Sequence, residues 1–348
     1  MPFTVDQINN VATAAIDFHF KKGNVLSQSV QDKPLLKWMN SAQKEFPGGA
    51  GNITRRVKGI YTTTVQGFSA DDNVTYANPT NLKTAVYPWK LHHAGITFTM
   101  DELLKNGISV NDTSDGSGDE SSSDAEKVQL ANVMQDKLED MSEGWKRGMN
   151  LIFWKDGTQD SKVLPGILSF ILDAPTSATV VGGIDQSLNV WWQNRASLLI
   201  NSGHPASDQQ VVQTLQREIR QLRRYGGRPS KALAGSLFMD WFEQELRSKG
   251  NYTLEGWSKS GKIDASVADL SFKGIDIEYD PTLDDLGRSK YCYFFDPKTI
   301  YPMVVSGEDM KKHAPARPET KYAFYRAITW VGGLVCDQRN ANGVYSVI

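Results

Sequence analysis

The stretch YPWKLHHAGITFTMDELLKNG, residues Tyr87–Gly107, sets two adjacent histidines a short distance ahead of an Asp-Glu pair. Imidazoles and carboxylates are the side chains of zinc sites and of general acid–base catalysis. One reading of the chain is therefore a metal-dependent hydrolase that uses His92 or His93 with Asp101 or Glu102. The surrounding residue types suggest a strand, and on a strand neighbouring side chains point to opposite faces. His92 and His93 could then bind one ion only across a bulge. The helical His-Glu-x-x-His spacing is absent, and His19, His204 and His313 are scattered without ligand spacing.

Other chemistries find no better footing. There is no G-x-S-x-G elbow for a nucleophilic serine. The pairs Gly48-Gly49 and Gly226-Gly227 fit neither the phosphate-binding loop nor the dinucleotide fingerprint. RYGGRPSK, Arg224–Lys231, surrounds a glycine turn with basic residues, but it follows a helical pattern. A helix end presents carbonyls and repels anions, so it reads as a C-cap. The acidic run NDTSDGSGDESSSDAE, Asn111–Glu126, lacks the calcium-loop pattern and its closing Glu, and reads as a solvated loop. No catalytic, cofactor-binding or metal-binding residue is assigned, and no cofactor is expected.

Composition bounds the rest. The chain has 348 residues, enough for about two domains, with 38 basic against 40 acidic residues and a net charge of −2. Such a balance provides no global field to draw it onto nucleic acid or anionic lipid. The start, MPFTVDQINNVATAAIDF, is not a secretory signal, and no apolar run is long enough for a membrane span. Cys292 and Cys336 cannot form a disulfide framework and read as free thiols of a reducing cytoplasm.

The elements that would position these residues follow from periodicity. Thr4–Phe20 has a helical pattern, after which the chain turns irregular through QKEFPGGAGN. Ile53–Gly67 and Leu82–Met100 are strand-like and flank a polar, turn-rich segment. They predict one long hairpin with arms of about 12–16 residues. A ribbon of that kind has no core and needs another surface. Ser123 and Glu126 form a capping box ahead of Leu130, Met134, Leu138, Met141, Trp145, Met149 and Ile152, an apolar stripe over about 45 Å of helix. A helix over Val211–Leu222 with its cap at Ser207, a strand at KALAG, a helix from Ser236 and strands at Leu270–Tyr279, Tyr291–Phe295, Ile300–Val305, Tyr322–Val335 and Val344–Ile348 complete an α+β chain. Trp89 and the Trp191-Trp192 pair are candidates for interface positions.

This order of parts resembles the major capsid protein of tailed bacteriophages. The resemblance rests on YPWKLHHAGITFTMDELLKNG leading into the long helix, LPGILSFI after it, GIDQSLNVWWQNR, YGGRPSKALAGSLFMDWF, and the closing GEDMKKHAPARPETKYAFYRAITWVGGLVCDQRNANGVYSV. It implies an N-terminal arm at 1–52, an E-loop hairpin at 53–100, and a P-domain at 101–160 with its spine helix at about 124–155. An A-domain at 161–300 and C-terminal strands shared by both domains at 301–348 follow. It further implies a structural, non-enzymatic subunit that joins copies of itself into hexamers and pentamers of an icosahedral shell around double-stranded DNA. Such a subunit belongs to the virion, assembles in the host cytoplasm, and meets a portal protein and in some cases a decoration protein. Because the hairpin begins by about residue 53, a separate scaffolding protein is expected. An encapsulin-like nanocompartment shell is the alternative within the same fold.

Overall fold

The computed structural model describes residues 3–4, 31–76, 78, 81–105, 110–111, 124–201, 210–248, 270–313 and 323–348, with the backbone alone at the ends of some elements. The expected helix at Thr4–Phe20, the cap at Ser207, the box residue Ser123 and most of the acidic run lie outside the described residues. The chain divides into two compact units. One comprises Met1–Gln31, Leu91–Met149 and Val304–Val331; the other comprises Asp32–Lys90, Asn150–Met303 and Gly332–Ile348.

In the second unit the described strands form a six-stranded mixed sheet. Its order is Leu270–Phe272, Ile275–Tyr279, Lys231–Ala234, Tyr291–Phe295, Gly343–Val347 and Arg195–Ile200. Side chains alternate across its central strand. Cys292 and Phe294 face the helices Val211–Arg223 and Ser236–Ser248, where Val212, Leu215, Ile219, Leu222, Phe238 and Phe242 fill the core. Tyr293 and Phe295 face the other way, onto Trp154 at 5.2 and 6.0 Å between ring centroids and, for Phe295, onto Trp38 at 5.1 Å. Burial on both faces explains the unbroken apolar run YCYFF, which a half-exposed strand would not tolerate. Both cysteines are buried, and burial pushes the Cys336 thiol up to about 12.

Trp38 belongs to a helix, Pro34–Ala42, in the segment expected to be irregular. Proline at its first turn presets the backbone angle, and Leu35, Leu36 and Met39 form a buried stripe. Nine residues carry too short a pattern to stand out beside the glycines that follow. The long helix runs Asp124–Trp154. Leu138, Met141, Trp145 and Met149 are buried as the stripe predicts, whereas in its last turn burial passes to Asn150, Phe153 and Trp154. Asn150 Oδ1 accepts from the Leu36 amide at 3.0 Å, and its Nδ2 donates to Thr282 Oγ1 at 2.7 Å. Trp154 Nε1 donates to the buried Asp280 carboxylate at 2.8 Å.

Leu270–Tyr279 is not one strand. It is a tight hairpin that turns at Lys273 and Gly274, both with positive φ, 54° and 76°, as a two-residue primed turn requires. Gln210, at the start of the helix Val211–Arg223, makes no side-chain cap bond. The Glu245 carboxylate, from the neighbouring helix, accepts from the amides of Val211 at 2.9 Å and Val212 at 3.1 Å. Those amides would otherwise be orphan donors.

In the first unit Lys311–His313 pairs antiparallel with Ala327–Thr329 of the strand Ala323–Cys336, whose residues from Gly332 on belong to the second unit; Lys90–Thr99 pairs with that same long strand. A short helix, Met100–Lys105, follows.

Glycine does opposite things within the long helix and in the segment that packs against its end. Gly144 is exposed within the helix, with open space where a Cβ would stand. Gly166 closes its C-terminus: the Gly166 amide donates to Lys155 O at 2.7 Å, and a Cβ would lie 2.3 Å from Phe153 O. Gly144→Ala should therefore stabilise the unassembled chain by about 1 kcal/mol. Gly166→Ala should destabilise it by about 3 kcal/mol. Urea unfolding of both variants checks the pair, and equal signs would contradict the assigned geometry.

Candidate functional site: a docked ribbon with an apolar tip

The long expected hairpin is paired over a shorter length. Asn52–Lys58 and Leu82–Pro88 form an antiparallel ladder of seven residues each, from Asn52↔Pro88 to Lys58↔Leu82. At Trp89 the chain leaves this ladder, and Lys90–Thr99 joins the other sheet. Continuous β-propensity through Tyr87–Met100 hid the change of partner, because propensity records a strand and not its neighbour.

Alternation gives the ribbon a buried and an open face. Ile53, Val57, Ala85 and Tyr87 are buried, and Arg55 lies among them. Arg55 donates from Nε and Nη2 to the two carboxylate oxygens of Asp337, each at 2.7 Å. Tyr301 Oη donates to the same carboxylate at 2.8 Å, and Lys44 Nζ stands 3.5 Å from the Tyr301 ring centroid. The hydrogen bond to Asp337 holds the Arg55 guanidinium charged well above its ordinary range. Burial and the same carboxylate raise the Tyr301 phenol. The Tyr87 hydroxyl donates to Cys336 O at 2.5 Å, and the Val86 amide to Gly182 O at 2.9 Å. Gly333 lets the ribbon approach, since a Cβ there would sit 2.8 Å from Ile53 Cδ1 and 2.9 Å from Pro88 O.

The surface under the ribbon is organised by Arg339, a buried guanidinium. It donates to Phe170 O, Trp192 O, Asn194 Oδ1 and, from both terminal nitrogens, Gln186 Oε1, at 2.8 to 3.1 Å. All these acceptors are neutral, and burial lowers the Arg339 pKa to about 10. The tryptophan pair divides accordingly. Trp192 is in the core with Nε1 donating to Val181 O at 3.0 Å, while Trp191 covers Gly59 at the end of the ladder. The interface reading of Trp192 is thus corrected. A tryptophan of the core and one of a surface share a residue type, and sequence does not separate them.

Beyond Lys58 the two ribbon arms lack a ladder. Asn81 Nδ2 donates to Ile60 O at 2.5 Å, and Gln66 Oε1 accepts from Thr75 N and Oγ1 at 3.2 and 3.0 Å. Ile60, Tyr61, Val65, Phe68 and Tyr76 stand exposed along it, Tyr61 at 79% and Tyr76 at 93%. That many large apolar side chains exposed on one segment is more than a surface left in water ordinarily carries.

The residues first considered for catalysis are distributed otherwise. His92 is buried and His93 exposed, as alternation requires. The His92 ring lies 5.7 Å from Trp330, and neither of its nitrogens has a hydrogen-bond partner. Glu102 is ion-paired to Lys137 of the long helix, and Asp101 to Lys105 at 2.6 Å. Among the described residues no three His, Cys, Asp or Glu side chains gather where a metal ion could bind. No helix among them is long and apolar enough to cross a membrane. Arg55, Tyr301, Asp337 and Arg339 were missed from sequence because Arg55 lies far from the others along the chain and only folding brings the group together.

No family model matches the chain, and no curated protein does. Solved structures do match. A chain of the cyanophage A-1(L) capsid asymmetric unit superposes with a TM-score of 0.65 at 12% identity, over 93% of this chain and 95% of that one. The capsid of Myoviridae phage XM1 gives 0.54 at 10% identity, over 94% and 95%. The capsid of an empty GTA particle gives 0.53 at 11%, over 93% and 98%. The class is therefore defined by the backbone: a mixed α/β chain with the fold of tailed-phage major capsid proteins. At such identities the likeness is one of fold.

His92 supplies a test of how the strand Lys90–Thr99 is packed. Burial lowers its pKa from 6.5, so the unfolded chain binds the proton more readily and stability falls as pH drops through about 6.5. His92→Leu removes two buried unpaired nitrogens. Stability at pH 7 should hold or rise by about 1 kcal/mol, and the loss between pH 7 and 5 should shrink relative to the parent chain. Thermal unfolding across that range measures both, and an unchanged pH profile would contradict the buried neutral ring.

Proposed function

We propose that this chain is the structural subunit of a phage head, joining copies of itself into hexamers and pentamers of an icosahedral shell that encloses double-stranded DNA. The observation that carries the reading is the ribbon: its base is fixed to the second unit by charge-assisted and buried bonds, and its tip presents apolar side chains with nothing of its own unit over them. A soluble monomer has no use for such a tip, whereas a shell subunit that laps a neighbour buries it. The match over almost the whole chain to subunits of capsids supports the same reading.

In this assignment residues 1–52 form an N-terminal arm and 53–100 the E-loop. Residues 101–160 carry the spine helix within the P-domain, 161–300 form the A-domain, and 301–348 return strands to both. The near-neutral charge suits a container whose contents must leave. The protein is a component of the virion and has no catalytic role.

Electron microscopy of the purified chain, alone and co-expressed with a scaffolding protein from the same source, tests the proposal. Closed shells, capsomers or tubes are the expected result. A chain that stays monomeric in every condition, including with scaffold, would sink it.

A further inference from the structure

The helix Val211–Arg223 carries a charged face that neither the fold nor the shell reading uses. Its apolar residues Val211, Leu215, Ile219 and Leu222 point into the core. At about 100° per residue, Arg217, Arg220 and Arg224 fall on the opposite side, in one row about 10 Å long. All three are exposed, and so are Arg223 beside them and Arg228 past the turn at Gly226. The one carboxylate of the helix, Glu218, is buried; Arg195 holds it at 2.9 and 3.1 Å, and the exposed Arg217 reaches it with Nε at 3.5 Å. The other residues of the outer face, Gln213, Gln216 and Gln221, are neutral. Among the described residues Arg220, Arg224 and Arg228 form no ion pair. A chain of net charge −2 thus concentrates guanidinium on one surface, with a carboxylate only beside Arg217.

We propose that this arginine face binds the phosphodiester backbone of nucleic acid. Guanidinium groups match phosphate oxygens in charge and in their forked donor geometry. The row repeats about once per helical turn and has no exposed aliphatic side chain, whereas a protein interface is built around apolar anchors. Tyr225, 63% exposed, adds a flat ring next to the row, with the Arg224 guanidinium 5.4 Å from its centroid. The carbonyl end of the helix repels anions, so the ligand lies along the flank and not at the tip. The inference extends the shell reading, in which DNA is the content. It makes contact local and weak per copy, with many copies acting together.

The test is fluorescence anisotropy of a labelled duplex with the full-length unassembled chain across a salt series. The parent chain should bind with a log–log salt slope. The variant Arg217→Gln/Arg220→Gln/Arg224→Gln should lose tenfold or more in affinity at low salt, its slope falling by about 0.9 per arginine removed. The exposed lysines Lys162, Lys290 and Lys298, changed together to Gln, remove equal charge elsewhere and should leave the slope intact. Unchanged binding in the arginine variant with its melting transition preserved, or an equal loss in the lysine variant, would overturn the proposal. Tighter binding to a polyglutamate peptide than to a duplex of equal charge would also overturn it, reassigning the face to an acidic protein. Shell formation by the same variants is scored separately by microscopy. Loss of DNA binding with intact shells, and loss of shells with intact DNA binding, therefore have different meanings.

Discussion

A two-stranded ribbon of seven paired residues per arm cannot stabilise itself in water, and that constraint governs how the second unit is built. Its inner face must be taken out of water by the body beneath it. The body meets this need with a bidentate Arg55–Asp337 pair, a Tyr87 hydroxyl bonded to Cys336 O, and a glycine, Gly333, that lets the two backbones close. A half-exposed ion pair alone contributes about 1 kcal/mol or less. The buried surface of Ile53, Val57, Ala85 and Tyr87 supplies the larger share, and the charged bonds fix its register.

The same segment, Cys336 to Arg339, serves both the ribbon and the layer beside it. Cys336 and Asp337 face the ribbon, while Arg339 turns inward and bonds to neutral acceptors from Phe170 to Asn194. A buried cation without a carboxylate partner is expensive unless most of its donors are satisfied. Here each of the three guanidinium nitrogens has an acceptor. Displacing the loop around Gln186 and Trp192 would therefore strand a charge, which makes that loop a stiff support for Gly182 and Trp191 under the ribbon.

Much of this was legible in sequence wherever one period ran long. The stripe through Leu138, Met141, Trp145 and Met149 marks the long helix, and adjacency on a strand is enough to separate His92 from His93. The order of elements was specific enough to suggest the fold. What stayed hidden was pairing and long-range contact. The helix Pro34–Ala42 was too short to declare itself, and the strand after Trp89 changed sheets without changing residue type. Glu245 caps a helix far from it in the chain, and Asp337 meets an arginine 282 residues away. Such contacts are products of topology, and local pattern does not contain them.

The central claim is that the ribbon is anchored at its base within one subunit and completed at its tip by another. Hydrogen exchange, followed by mass spectrometry on unassembled chain and on assembled particles, measures both ends at once. The amides bonded across the ladder of Asn52–Lys58 and Leu82–Tyr87 should be protected in either state, and those of 59–76 should exchange rapidly until assembly protects them. A tip that exchanges as fast in particles as in the free chain would contradict the account.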